Sequence, residues 1–431
     1  MKRSYRRLLW GPAVLLLMPA AHAAAVEKFS FGRFGTTTIF RPAAVEHVAL
    51  FFSDAGGWST ADARLAAALA DRGVLVAGID TRHYAAQLTA KPHKSCLYVA
   101  GEFEDFSHEL QKHFSPQRYH LPVLVGRGYG ASIVYAVAAQ GSPGTFIGTL
   151  TMNFAPRWRQ PVVLCQSYDL RYQVERRGIV RILPAAHLRT PWIDLHGSDL
   201  NRNPAAALLT NVAALTQRDR PPKVLAAELQ DLPLFEVRAT GTVTDRLALF
   251  LTGDGGWADL DKQVSTALAR RGIDVVALSS LQYFWQPRSP DETAKDVARI
   301  LRHYLAAWNK REALIVGYSF GADVAPFAIN RLPADLRDRI AGVNLLGLSH
   351  TADFEVHVTT WLGVDNHGLP VQPEVERLPM TVLCIHGAGE TDTVCTSLKG
   401  PKIQTLEVGD GHHFGDLYDE LAEAVIRALP K

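Results

Sequence analysis

A serine at the centre of a glycine-flanked turn is the feature of this sequence with the clearest chemical meaning. Residues 317–321 read Gly-Tyr-Ser-Phe-Gly, follow the apolar run 313–316 and lead into a helical pattern. A strand, a G-x-S-x-G turn and a helix together form a nucleophile elbow, whose strained turn exposes the serine hydroxyl above the sheet. The sequence therefore predicts Ser319 as a nucleophile.

Serine is a weak nucleophile at neutral pH, so it needs a general base and a group that orients that base. In chains with this elbow, the acid and then the histidine follow the serine. His412 comes directly after a Gly-Asp-Gly loop and is the predicted base, with His413 as the alternative. Asp392, in the loop after a late strand, is the predicted orienting acid, with Glu390 as the alternative.

Two backbone N–H groups are expected to form an oxyanion hole for the charge that develops during acyl transfer. One is the N–H of Phe320, the residue after the nucleophile, and the other is assigned to Asp254 in the glycine-rich loop 253–256. A plain tight turn is the alternative reading of that loop. Trp285 is predicted to bind substrate near the mouth of the site, and the long stretch 349–377 is expected to form a cap.

The elements that must position these groups occur twice along the chain. Residues 50–58 match 249–257, and residues 123–130 match 314–321. Each copy alternates strands with helices, which favours a mainly parallel sheet flanked by helices. The predicted fold is α/β, with two tandem α/β-hydrolase-like domains.

The first domain, residues 24–222, is expected to be a degenerate copy. Gly128 stands where the second copy has Ser319, and no histidine follows His196 in the first half of the chain. A structural or partner-binding role is therefore expected for the first domain. The second domain, residues 223–431, is expected to carry the chemistry.

Residues 1–23 have the basic start, apolar run and small final residues of a cleaved secretory signal peptide. Its removal takes four basic residues with it, so the formal charge falls from +2 to −2. That balance gives no indication of nucleic-acid binding, and no later apolar run is long enough to span a membrane. A periplasmic protein is the expectation.

Four cysteines in an exported chain permit three disulfide pairings. Cys96 with Cys165 and Cys384 with Cys395 is the preferred prediction, because each pair then stays inside one copy. Four buried free thiols are the alternative. The scattered histidines have no spacing that supports a metal site, and no cofactor is expected.

The second copy resembles the VirJ domain of bacterial virulence proteins, and the mature chain resembles the longer, duplicated AcvB members of that family. The stretches that carry the resemblance are 253–257, 317–323 and 411–414. The resemblance implies a periplasmic α/β-hydrolase acting on lysyl-phosphatidylglycerol, an aminoacylated membrane lipid, to release lysine and phosphatidylglycerol.

The resemblance also assigns the family's serine, acid and histidine to Ser319, Asp392 and His412. Because the lysyl headgroup carries two ammonium groups, a carboxylate near the serine is expected, supplied by Asp254 or Asp323. Two alternatives stay open from the sequence: another carboxylesterase or lipase, and a non-catalytic periplasmic scaffold.

Overall fold

A computed structural model of the 431-residue chain provides the fold. It describes residues 24–90, 96–160, 162–167, 169–175, 180–217, 226–357 and 368–428. The predicted signal peptide and the predicted domain boundary at residue 222 lie outside these ranges.

The first copy forms a seven-stranded sheet in the order β1-β2-β4-β3-β5-β6-β10, with a small three-stranded sheet of β7, β9 and β8 beside it. Its strands are β1 (Ala25–Phe31), β2 (Gly35–Arg41), β3 (His47–Phe52), β4 (Val74–Ile79), β5 (Val123–Arg127), β6 (Gly148–Met152), β7 (Arg157–Trp158), β8 (Arg171–Val174), β9 (Val180–Leu183) and β10 (Trp192–Leu195). Its helices are α1 (Thr60–Ala70), α2 (Thr81–Thr89), α3 (Val99–Phe114), α4 (Tyr129–Gln140), α5 (Ser198–Arg202) and α6 (Pro204–Thr216).

The second copy forms another seven-stranded sheet, in the order β11-β13-β12-β14-β15-β18-β19. Its strands, with the short pair β16–β17, are β11 (Leu234–Val237), β12 (Arg246–Leu251), β13 (Asp274–Leu278), β14 (Glu312–Tyr318), β15 (Ile340–Leu346), β16 (Thr351–Ala352), β17 (Leu369–Pro370), β18 (Val382–Ala388) and β19 (Ile403–Asp410). Its helices are α7 (Asp259–Arg270), α8 (Ser280–Tyr283), α9 (Pro290–Ala307), α10 (Phe320–Asn330), α11 (Ala334–Arg337), α12 (Gln372–Glu376) and α13 (Tyr418–Arg427).

Both large sheets are mainly parallel, so the predicted α/β fold class is confirmed. In the second sheet only β11 runs antiparallel to its neighbour, and β12, β13, β14, β15, β18 and β19 pair in parallel. The central strands are apolar and buried along their length because helices cover both faces of the sheet. The loops after β12, β14, β18 and β19 meet at the carboxyl edge of the sheet, where such folds place their sites.

Both preferred cysteine pairs are disulfides in the structure, which confirms that prediction. Cys96 is bonded to Cys165 and Cys384 to Cys395, and none of the four cysteines is free. The second bond ties β18 to the loop that precedes β19. Within the described residues, no helix is long and apolar enough to cross a membrane.

Candidate active site

Ser319 occupies a strained turn between β14 and α10. Its φ and ψ are 49° and −120°, in the left-handed half of backbone space that side-chain-bearing residues seldom adopt. The turn is closed by small residues, since a Cβ on Gly317 would lie 2.6 Å from the carbonyl oxygen of Gly321. The structure thus places the hydroxyl at the tip of a nucleophile elbow, as the sequence predicted.

His412 joins Ser319 to a buried carboxylate. Its Nε2 lies 2.8 Å from Ser319 Oγ, and its Nδ1 lies 2.5 Å from Glu390 Oε1. The other carboxylate oxygen of Glu390 accepts a hydrogen bond of 3.0 Å from the N–H of Gly387. Burial alone would raise the pKa of Glu390, but these hydrogen bonds outweigh it and hold that pKa below its ordinary value. A serine, a histidine and an ionised acid are therefore aligned for proton transfer.

The prediction of Asp392 as the orienting acid is wrong. The side chain of Asp392 is 87% exposed, and the basic group it approaches is His350 Nε2, at 3.9 Å. The side chain of Glu390 is only 7% exposed and lies against His412. Both acids belong to the loop after β18, and the one anchored by the Gly387 N–H is the one that contacts His412.

His413, the alternative base, contacts the side chain of Tyr318. Its Nδ1 lies 3.0 Å from the hydroxyl oxygen of Tyr318. Burial, together with the neighbouring charge of His412, lowers the pKa of His413. His412, by contrast, contacts both Ser319 and Glu390, so it is the histidine that the structure brings into the site.

In the first copy, a carboxylate oxygen lies between the two N–H groups that match those predicted to form the oxyanion hole. Asp54 Oδ1 accepts hydrogen bonds from the N–H groups of Ala55, at 2.7 Å, and Tyr129, at 2.8 Å. In the sequence match between the copies, Ala55 corresponds to Asp254 and Tyr129 to Phe320. The pair of N–H groups expected to bind an oxyanion in the second copy therefore converges on one negatively charged oxygen in the first.

Gly253 keeps the equivalent position open in the second copy. It matches Asp54, and a Cβ built on Gly253 would lie 3.7 Å from Ser319 Cβ and 3.2 Å from the ring of Tyr318. A carboxylate there would occupy the space above the nucleophile. The difference between Asp54 and Gly253 is visible when the two copies are aligned. Its effect on the site depends on the hydrogen bond between Asp54 and Tyr129, which are 75 residues apart in the chain.

A cavity of about 390 Å³ opens over Ser319, and its walls are acidic. Besides Ser319 and Phe320, the lining includes five carboxylate side chains: Asp254, Asp323, Asp353, Glu355 and Asp392. The sequence pointed to Asp254 and Asp323, and it missed Asp353 and Glu355 because nothing local places them beside the serine. They belong to the stretch predicted as a cap. Six residues of that stretch line the cavity: Ser349, Thr351, Asp353, Glu355, Val356 and His357. Residues 358–367 lie outside the described ranges.

Asp323 differs from the other acids because it is buried. Its Oδ1 accepts a hydrogen bond of 2.8 Å from the N–H of Ser349, which holds the loop after β15 beside α10. Burial, and then the negative charges of Asp254 and Asp392, raise its pKa well above the ordinary value. Asp323 therefore contributes less negative charge to the cavity than its exposed neighbours.

The prediction that Trp285 contacts substrate is wrong. Its side chain is fully buried and packs against the first domain, with ring centroids 4.9 Å from Tyr119 and 5.9 Å from His108. Trp285 does not line the cavity over Ser319. An aromatic run in the sequence cannot distinguish a binding surface from a domain junction, because both need large apolar side chains.

Among the described residues, no group of three or more histidine, cysteine, aspartate or glutamate side chains is arranged to hold a metal ion. The acidic lining and the Ser319–His412–Glu390 alignment are the chemically distinctive features of the site.

Comparison with known proteins gives one family. The profile described as "Bacterial virulence protein (VirJ)" matches residues 46–143 and 245–431, and so covers parts of both copies. A search of curated proteins found no match.

Several solved structures are similar to about half of the chain. Est1E from Butyrivibrio proteoclasticus, solved with ferulic acid, is 12% identical, with 46% of this chain and 93% of that chain covered and a TM-score of 0.33. The esterase domain of a Rhodothermus marinus protein is 16% identical, with 44% and 87% covered and a TM-score of 0.31. An alpha-beta serine hydrolase homologue from Coxiella burnetii is 14% identical, with 46% and 91% covered and a TM-score of 0.31.

Proposed function

The chain belongs to the bacterial virulence protein (VirJ) family, and from this membership and the geometry of the site we propose that its second domain is a serine ester hydrolase. The observation that carries the proposal is the alignment of Glu390, His412 and Ser319 through contacts of 2.5 and 2.8 Å. A buried acid, a histidine and a strained serine in this order are the groups that acyl transfer requires.

In the proposed reaction, Ser319 Oγ attacks the ester carbonyl carbon while His412 Nε2 takes the hydroxyl proton. Glu390 stabilises the imidazolium, and the N–H groups of Phe320 and Asp254 donate hydrogen bonds to the oxyanion. His412 then gives its proton to the departing alcohol oxygen, leaving an acyl-serine. A water molecule, deprotonated by His412, attacks that acyl group, and the proton returns to Ser319 as the acid is released.

The proposed substrate is an ester whose acyl group is cationic, with lysyl-phosphatidylglycerol as the specific proposal. Its lysyl group carries two ammonium charges, and its products would be lysine and phosphatidylglycerol. The acidic lining of the cavity supports this choice, because Asp254, Asp353 and Asp392 would attract ammonium groups to the space beside Ser319. A neutral acyl chain would gain nothing from these charges.

A periplasmic location is part of the proposal. Two disulfides support folding in an oxidising compartment, where such bonds persist. The substrate would then be met at the surface of a lipid bilayer facing that compartment.

The test is release of lysine from vesicles that contain lysyl-phosphatidylglycerol, measured for the wild-type protein and for Ser319→Ala. A matched control is Ser265→Ala, which removes a buried hydroxyl in α7 outside the site. We expect release by the wild type and the control, with loss of at least about 10³-fold in Ser319→Ala. A fluorophosphonate probe, which labels activated serines, should label Ser319.

Each alternative function has its own result. Labelling of Ser319 without lysine release would indicate a serine hydrolase with another substrate, such as a carboxylesterase or lipase. If the protein shows no labelling of Ser319 and no release of lysine, the enzyme proposal is contradicted and a non-catalytic scaffold is favoured.

A further inference from the structure

Helix α3 of the inactive first domain packs on the second domain through one face. Glu104, His108 and Lys112 follow one another at intervals of four residues, which places them on the same side of the helix. Lys112 Nζ lies 4.6 Å from the centre of the Trp285 ring and donates a hydrogen bond of 2.7 Å to the Trp285 carbonyl. Burial, followed by the negative charges of Asp254 and Asp105, raises the pKa of Glu104 to about 8. The first domain is therefore within electrostatic range of the cavity over Ser319.

Lys112 also reaches a residue of that cavity. Its Nζ forms an ion pair of 2.8 Å with Glu355 Oε1, and both side chains are partly buried, at 23% and 30% exposure. Glu355 lines the same cavity as Ser319. The ion pair therefore extends from the inactive domain to the wall of the candidate active site.

The backbone on either side of Glu355 is tied to the segment that carries Trp285. Val356 donates a hydrogen bond of 2.9 Å to the carbonyl of Phe284, and Arg288 donates one of 2.8 Å to the carbonyl of Phe354. Lys112 thus contacts both segments: it donates one hydrogen bond to the Trp285 carbonyl and another to the Glu355 carboxylate.

We propose that Lys112 is a positioning residue for the active site of the second domain: it holds Glu355 in the cavity wall, cancels its charge, and so limits how strongly the site prefers a cationic acyl group. This inference rests on the proposed ester hydrolase function. The first domain, which has Gly128 at the position that matches Ser319, then contributes to substrate selection through the domain junction.

Removing the charge of Lys112 and removing the charge of Glu355 are expected to change the preference for a cationic acyl group in opposite directions. Without the Lys112 charge, Glu355 adds a full negative charge to the cavity and attracts an ammonium group. Without the Glu355 charge, the ammonium of Lys112 is left unpaired and repels it. A purely structural contact between the domains would not produce effects of opposite sign.

The experiment compares two esters on the full mature chain: lysine methyl ester and norleucine methyl ester, which lacks the side-chain ammonium. The measured quantity is the ratio of kcat/KM for the lysine ester to that for the norleucine ester. The variants are Lys112→Met, Glu355→Gln, the double variant and Lys112→Arg. Glu102→Gln is the matched control, because Glu102 lies on the same helix and pairs with Arg33 inside the first domain.

We expect the ratio to rise about fivefold in Lys112→Met and to fall about fivefold in Glu355→Gln, as one partly screened charge near the substrate would produce. The double variant, Lys112→Arg and the Glu102→Gln control should stay within about twofold of the wild type. If Lys112→Met does not fold, the inference is tested by the other two variants. The ratio should then fall about fivefold in Glu355→Gln and stay within about twofold of the wild type in Lys112→Arg, and equal ratios in the two would overturn the inference.

An unchanged ratio in both single variants, with a lower melting temperature, would overturn the inference and leave Lys112 as a junction contact only. That result is distinct from failure of the proposed function, in which the wild type itself hydrolyses neither ester and Ser319 does not react with the probe. The latter outcome would refute both proposals.

Discussion

Replacing Glu390 by glutamine is expected to remove most of the hydrolytic rate while leaving Ser319 and His412 in place. Glu390 Oε1 lies 2.5 Å from His412 Nδ1, and the carboxylate is 7% exposed, so little water can take its place. Glutamine can present an N–H to Nδ1, which would put the imidazole proton on Nε2, facing the serine. In that tautomer His412 cannot accept the hydroxyl proton.

The expected loss of rate has two causes: His412 no longer has the tautomer that accepts the serine proton, and the imidazolium that forms no longer has a negative charge beside it. Loss of the orienting acid in a serine triad lowers kcat by about 10³ to 10⁴, which corresponds to about 4 to 5.5 kcal/mol of transition-state stabilisation. The assay is hydrolysis of p-nitrophenyl acetate, a neutral ester whose rate does not depend on attraction to the acidic cavity. Thermal unfolding of the same samples reports whether the variant is folded.

Asp392→Asn is the matched control, since it neutralises a carboxylate two residues away that is 87% exposed. Its rate on the neutral ester should stay within about threefold of the wild type. If Asp392→Asn lost as much activity as we expect from Glu390→Gln, and Glu390→Gln kept wild-type activity, the geometry derived for this site would be refuted.

Three further changes test other parts of the structure. Gly253→Asp should place a carboxylate in the oxyanion hole and lower kcat on p-nitrophenyl acetate at least about 10²-fold. Gly255→Ala is its control, because a Cβ there meets only one methyl group, 4.0 Å away, and equal activity of the two variants would contradict the reasoning. Glu104→Gln should be more stable than the wild type above about pH 8, by a few degrees in melting temperature, and equal to it near pH 4. The sign follows because, between pH 4.5 and about 8, Glu104 keeps its proton in the folded protein but has lost it in the unfolded chain. Wild-type stability therefore falls as the pH rises across that window, and parallel pH profiles of the two proteins would refute this reasoning. Replacing Cys384 and Cys395 together by alanine should lower the free energy of unfolding by about 2 to 4 kcal/mol in urea titrations, and no change would show that the bond does not stabilise the fold.

The sequence by itself determined the features that depend on neighbouring residues. The elbow at Ser319 is a local pattern of strand, glycine-flanked turn and helix, so it could be identified from residues 313–322. The duplication and the missing serine at Gly128 could be identified by aligning the chain with itself. The disulfide pairing also followed, because a cysteine in one copy pairs most simply within that copy.

The tertiary structure alone decided the features that depend on where side chains point. Glu390 and Asp392 share one loop and one chemistry, and a hydrogen bond from Gly387 turns the first toward His412 while the second faces solvent. Trp285 looks like part of a binding surface in the sequence but is buried in the domain junction.

The ion pair between Lys112 and Glu355 joins residues 243 positions apart, so no local pattern could have paired them. Local propensity and turn chemistry act over a few residues, whereas the contacts that complete this site form only when the two sheets and their loops pack together.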